Sequence, residues 1–308
     1  MLSRRTFLLT AAASVAACDF RRGTRGHLRL AAGDPGGMYL AFAELLATQL
    51  HARYPDIEVE VVATEGTVEN LALLRSGDVD VGLALADVAE RDRVSGPADS
   101  GPVAVARVYE NYLQVIVQDS AGVQQMADLR GRRVSFGAIR SGGAATSAVL
   151  FDAAGLTEDV EISWLRLREA LSQLAGGGIE ALVWSGGVPT PAVADLNAEL
   201  PLRVLDVGAM AVPMSRISSY PYAVRRVPAG GYVPPGIRSI GVPNLLLCRR
   251  RIADDLVAAL VNVIATESPH LAPPYVRGLQ YLDAPSMIQT GAIPLHPGAV
   301  GAYRELHG

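Results

Sequence analysis

The chain has 308 residues, half of them apolar and 19% charged, with a formal net charge of −4. That is enough for one large core or two smaller ones, and it offers no basic stripe for nucleic acid. All 27 cationic residues are arginine; without lysine there is no Walker A lysine, no Schiff-base lysine and no Ser-x-x-Lys pair, so several enzyme classes are excluded.

Residues 1–18 read as an export signal. Arg4-Arg5 precede a short apolar stretch, Leu8 to Ala13, too short to span a bilayer. Val15-Ala16-Ala17-Cys18 is similar to a bacterial lipobox, which would make Cys18 the lipidated first residue of the mature protein; the alternative is an ordinary signal peptide that contains a cysteine. Asp19 resembles the inner-membrane retention signal of Gram-negative lipoproteins, and residues 19–26 read as a tether. Cys248 is then the only other cysteine, and its apolar neighbours make it a small core residue.

From residue 28 the pattern is strand, loop, helix, repeated. An apolar run, 28–32, meets the turn Gly33-Asp34-Pro35-Gly36-Gly37 and a helical pattern over 39–53 with Leu40, Ala43, Leu46, Ala47 and Leu50 on one face. A strand over 57–63, the loop Thr64-Glu65-Gly66-Thr67, a second helix through Val68, Leu71 and Leu74, and a strand over 79–85 stopped by Ala86-Asp87 follow. Such a series builds a parallel sheet whose loops meet at the carboxyl ends of the strands. Two glycines before a helix leave its first N–H groups bare, with the positive end of the dipole behind them. This crevice therefore suits a small anion.

Residues 91–102 read as a surface excursion, 103–108 and 113–117 as strands around Tyr109-Glu110-Asn111-Tyr112. A second unit repeats the first: strand 134–138, loop 139–146, helix 147–154, strand 160–165, a helix through Ala170, Leu171 and Leu174, and strand 179–184. An apolar strand, 240–248, and a helix, 253–265, return to the first sheet.

Eight motifs in order carry a family resemblance across the mature chain. They include Gly33-x-x-Gly36-Gly37-x-Tyr39, Thr64-x-Gly66-x-x-Glu69-Asn70-Leu71, Gly77-x-x-Asp80-x-Gly82, Ala86-Asp87, Ser141-Gly142 and Pro294-Leu295-His296-Pro297-Gly298-Ala299. The chain resembles the TAXI-branch solute receptors of TRAP transporters. The resemblance implies an α/β, two-lobed type II periplasmic-binding-protein fold, each lobe a mostly parallel sheet with flanking helices. Lobe 1 is expected at 27–118 plus 236–308 and lobe 2 at 119–235. It further implies a monomeric, lipid-anchored receptor outside the cytoplasm. Such a receptor closes on a carboxylate-bearing solute, glutamate-like or a dicarboxylate, and delivers it to the membrane permease. No cofactor, metal or catalysis is implied.

Expected contacts are Gly36, Gly37 and Tyr39 on the first loop, Asn70 and Asp87 on the same lobe, and Arg140, Ser141, Gly142, Gly143 and Thr146 on the opposing loop. Tyr112, Trp184, Gly186 and Gly187 complete the set at strand ends. Each has a plainer alternative: a tight turn for the glycines, a helix start for Glu69 and Asn70, a cap for Asp87, core packing for Tyr112 and Trp184. Arg140 stands where the family has glycine in Gly-Ser-Gly-Thr; turned inward it clamps a carboxylate, turned outward it is a solvated loop charge. Leu85 and Val188 also depart from the family, which often has Gln and an aromatic residue there. Two other functions remain in view. The same receptor fold can serve a sensor kinase, and an exported enzyme is disfavoured because Gly-x-Ser-x-Gly and Gly-x-Gly-x-x-Gly are both missing at the relevant loops.

Overall fold

The structure is a computed structural model that describes residues 23–96, 101–277 and 282–307. The expected signal peptide, its Cys18 and the first half of the tether lie outside the described residues.

The first strand–helix series forms as its periodicity requires. Strand β1 (Gly26–Ala31) leads to helix α1 (Met38–Arg53), β2 (Ile57–Val62), α2 (Thr67–Ser76) and β3 (Val81–Leu85). β1 pairs in parallel with β2 over its whole length and with β3 on its other side. β3 ends at Ala86-Asp87 as expected, but the chain runs straight on into α3 (Ala86–Ser95), so Arg91 is helical rather than part of a surface excursion. The acidic Asp87 in the first turn suits the positive end of that helix.

The largest difference from the sequence reading is β4 (Val103–Gln118), one strand of 16 residues where two were expected. Glu110 and Asn111 do not break it, because the pairing continues through them to β10 (Arg238–Cys248). At Tyr112 the strand changes company: its first half pairs with β10, its second with β7 (Ala181–Gly186) and β8 (Leu202–Val204). β10 behaves likewise, with Asn244–Cys248 against β3 and its start against β9 (Ala223–Arg226). Two antiparallel strands therefore run through the middle of one ten-stranded sheet and carry a parallel unit on either side.

The second unit comprises β5 (Arg133–Ser135), α4 (Gly142–Ala153), β6 (Glu161–Ser163), α5 (Leu167–Ala175) and β7, with β5 parallel to both β6 and β7. Helix α4 starts five residues before the expected position. Ser141 serves as its cap, its Oγ accepting from the Ala144 amide at 3.0 Å. The segment after β7, which the sequence left unread, holds α6 (Pro191–Glu199), β8, α7 (Ala211–Ser218) and β9; α8 (Asp254–Thr266), α9 (Ala284–Met287) and α10 (Pro297–His307) close the chain.

Three apolar cores cover the sheet. Phe42, Leu46 and Leu50 of α1 pack with Leu83, Leu246, Val257, Val261 and Ile264 on one face of the first unit. A second core spans both units on the other face, from Leu71 and Leu74 to Leu113, Phe136 and Leu150. A third joins Leu171 and Leu174 to Ile116, Leu182 and Val193. Burial of this kind, at about 25 cal/mol per Å² of apolar surface, is the main force holding the molecule together. Cys248 lies fully inside the first core, and burial pushes its thiol up to about 12, as befits an inert packing residue.

Candidate functional site

The loops at the carboxyl ends of β1, β2, β5 and β7 converge on one cleft. Each loop is fixed locally. The Gly37 amide donates to the Asp34 carbonyl at 2.9 Å, the Gly66 amide to Thr64 Oγ1 at 3.1 Å, and the Ser141 amide to the Ala138 carbonyl at 2.9 Å. After β7, Thr190 Oγ1 donates to the Gly187 carbonyl at 2.9 Å and accepts from Trp184 Nε1 at 3.0 Å. Gly66 has φ +125°, a backbone state that excludes side chains, and a Cβ there would meet Ser141 of the opposite loop.

Between these loops is about 570 Å³ of space, part of it continuous with solvent. Met38, Leu85, Phe136, Val183 and Trp184 give it apolar walls. The N-termini of α1, α2 and α4 all face it. Among the described residues, the amides of Met38, Tyr39, Thr67, Gly142 and Gly143 carry no hydrogen bond to the protein. Three helix ends thus aim free donors at one small volume.

The polar side chains are mostly engaged with one another. Tyr39 and Thr67 hydroxyls stand 3.3 Å apart, and burial pushes the Tyr39 phenol well above its ordinary range, so it stays neutral. At the mouth, Arg166 pairs with Asp34 at 3.4 Å and Glu65 at 3.6 Å, and Arg140 pairs with Glu69 at 3.2 Å. Backbone bonds lace the same rim: the Leu167 amide donates to Asp34 Oδ2, the Arg140 amide to Glu65 Oε2, and the Glu69 amide to the Arg140 carbonyl.

Of the residues named from sequence, Gly37, Tyr39, Ser141, Gly142, Gly143 and Trp184 line the cleft. Gly36 and Gly187 border a smaller hollow beside it, with Thr190 and Tyr275. Gly186 faces Tyr112 in the sheet, and the Trp184 indole fills the space its side chain would take. Tyr112 belongs to the third core.

Three others have different work. The Asn70 amide donates to the Ala32 and Leu83 carbonyls, both at 2.7 Å, while its Oδ1 accepts from Thr64 Oγ1 at 2.7 Å; it ties β1, β3 and the second loop together and does not line the cleft. Asp87 and Thr146 are hydrogen-bonded to each other behind the cleft rather than inside it. Arg140 follows the loop-charge alternative: its side chain is 46% exposed and turned to Glu69.

Asn111 and Ser185 were missed, although both line the cleft. Local pattern carries no signal for either, since β4 is buried on both faces and Val183, Trp184 and Ser185 of β7 all border the cleft. Tyr112 packs into the third core, and its neighbour Asn111 presents the opposite face.

A model of the NMT1-like family matches residues 30–306. The chain belongs to the NMT1-like family. Solved structures place this NMT1-like chain in the type II periplasmic-binding-protein fold. Tv2483 bound to L-arginine is 14% identical, with 83% of this chain and 89% of that one covered at a TM-score of 0.53. A putative L-cystine ABC transporter protein from Listeria monocytogenes is 15% identical (80% and 93% covered, TM-score 0.52). PhnD1 of Prochlorococcus marinus in complex with methylphosphonate is 12% identical (78% and 84%, TM-score 0.51). At these identities the likeness concerns the fold alone. Among the chain's described residues no helix is long and apolar enough to cross a membrane.

Proposed function

We propose that this protein is an extracytoplasmic solute receptor, anchored through Cys18, that serves a TRAP-type permease of the TAXI branch. It holds a small carboxylate-bearing solute between its lobes. The observation that carries this reading is the convergence of three helix N-termini, with five unengaged amides, on one cleft. A carboxylate there accepts several N–H bonds, and such charge-assisted bonds are the strong ones.

A glutamate-like amino acid or a dicarboxylate brings a second charge that needs its own cation. Arg140 and Arg166 are engaged with Glu69, Asp34 and Glu65 at the mouth. The geometry therefore favours one carboxylate over two. The exchange of partners within β4 and β10 supports a division into two lobes there, and in this reading ligand binding shifts the population toward a closed form.

A thermal-shift screen of the full chain against mono- and dicarboxylates tests the reading. A ligand at 100 times its Kd adds about 2.7 kcal/mol, a rise of about 5 °C. No shift with any carboxylate overturns it. Membrane retention of a Cys18→Ser variant would separately refute the anchor.

A further inference from the structure

Once the amides are assigned to a carboxylate, the remaining polar groups of the cleft can be sorted by what still lacks a partner. Trp184 Nε1 is bound to Thr190, the Tyr39 hydroxyl to Thr67, and Ser141 caps its own helix. Asp34 and Glu65 share Arg166. Asn111 is different. It borders the cleft and is 3% exposed, and its Nδ2 donates to the Ser185 carbonyl at 3.3 Å, which orients the amide. Oδ1 is then left buried with no donor. Ser185 Oγ, 3.5 Å from Asn111 Nδ2, lies on the same wall.

The cleft thus has a cluster of donors and one unmatched acceptor, with apolar walls at Leu85, Phe136 and Val183. No carboxylate lining it is free of a cation, since the two that border it are shared with Arg166. An ammonium group at Asn111 would be a desolvated charge without a counter-charge beside it, which is costly; a hydroxyl or amide N–H supplies the missing donor at no such cost.

We infer that Asn111 is a specificity-determining residue, and that the solute is a monocarboxylate with an apolar body and a neutral hydrogen-bond donor, such as a 2-hydroxy acid, which Asn111 Oδ1 selects over the deoxy acid, the amino acid and the dicarboxylate. This rests on the carboxylate-receptor reading above and adds a second polar contact to it.

Isothermal titration of the purified full chain with two matched sets tests it. One set is propanoate, lactate and alanine; the other is 4-methylpentanoate, 2-hydroxy-4-methylpentanoate and leucine. Glutarate serves as the dicarboxylate. In at least one set the hydroxy acid binds about tenfold tighter than its deoxy partner, the worth of one hydrogen bond to a buried group. The amino acid is weaker than the hydroxy acid, and glutarate is weaker than either. Asn111→Leu, close in volume, erases the difference between hydroxy and deoxy acids while still binding the deoxy acid. Asn111→Asp supplies the missing negative charge and reverses the order toward the amino acid, so the test survives if the leucine variant does not fold.

Equal binding of hydroxy and deoxy acids by the wild type overturns the role of Asn111 and leaves the carboxylate reading standing. Tighter binding of the amino acid by the wild type overturns the neutral donor. Failure of every carboxylate to bind overturns the receptor reading and this inference with it.

Discussion

Thr146 donates its hydroxyl to Asp87 Oδ2 at 2.8 Å, joining α4 of the second unit to α3 of the first behind the cleft. Tyr222 donates to the same oxygen at 2.7 Å, and Arg91 stands 3.7 Å away. Burial raises the Asp87 carboxyl above its ordinary range, opposed by Arg91 and the two hydroxyls. A raised acid holds its proton more tightly in the folded state. Its contribution to stability is full below the ordinary carboxylate value and falls as pH rises through the raised one. The melting temperature of the wild type relative to Asp87→Asn should therefore increase on acidification from pH 8 toward pH 4. A constant difference across that range would show that Asp87 does not titrate on folding.

Gly142 opens α4 where it touches the first unit. A methyl group there would collide with Thr67 Oγ1 and stand 2.8 Å from Leu85 Cδ1. Alanine suits the helix, so Gly142→Ala should leave the fold intact and hold the lobes apart. Carboxylate binding should weaken at least tenfold, and ligand-induced compaction in small-angle X-ray scattering should disappear. Unchanged compaction would mean that closure does not bring these two loops together.

Asn70→Ala removes a side chain making three close hydrogen bonds in a fully buried position. Leaving Ala32, Leu83 and Thr64 without their partners should cost about 2–4 kcal/mol, or a melting temperature lower by about 4–7 °C without ligand. Loss of binding with no loss of stability would restore the ligand contact expected from the sequence.

Trp184 lines the cleft, whereas the only other tryptophan, Trp164, packs edge-on against Phe136 and is 44% exposed. Binding should change the intrinsic fluorescence of the protein. Trp164→Phe should keep the change and Trp184→Phe should remove most of it, which a titration at one excitation wavelength decides.

The sequence revealed the parts of this site that are built from backbone. Glycine before a helix marks a loop where amides are exposed, and Gly37, Gly142 and Gly143 line the cleft for that reason. It was less informative about side chains whose partners are distant in the chain. Asn70 reads as a ligand contact until Ala32, 38 positions earlier, is seen to accept its bond. Asn111 and Tyr112 differ only in which face of β4 they present, and that parity is set by register with β10 rather than by local pattern. The segment from α6 to β9 was illegible because its elements are short and their apolar residues complete a core begun elsewhere.

The exchange of partners inside β4 and β10 decides how this molecule can move. At Tyr112 and Gly241 the chain passes from one lobe to the other without leaving the sheet. Among the described residues both crossings are strands, with no slack loop to swing on. If the two halves open as the proposed receptor function requires, the opening would be taken up as twist shared by successive hydrogen-bonded residues, in the manner of a torsion bar. Such a bar limits its own travel and returns to one resting angle, which would bring the facing loops back in the same alignment each time.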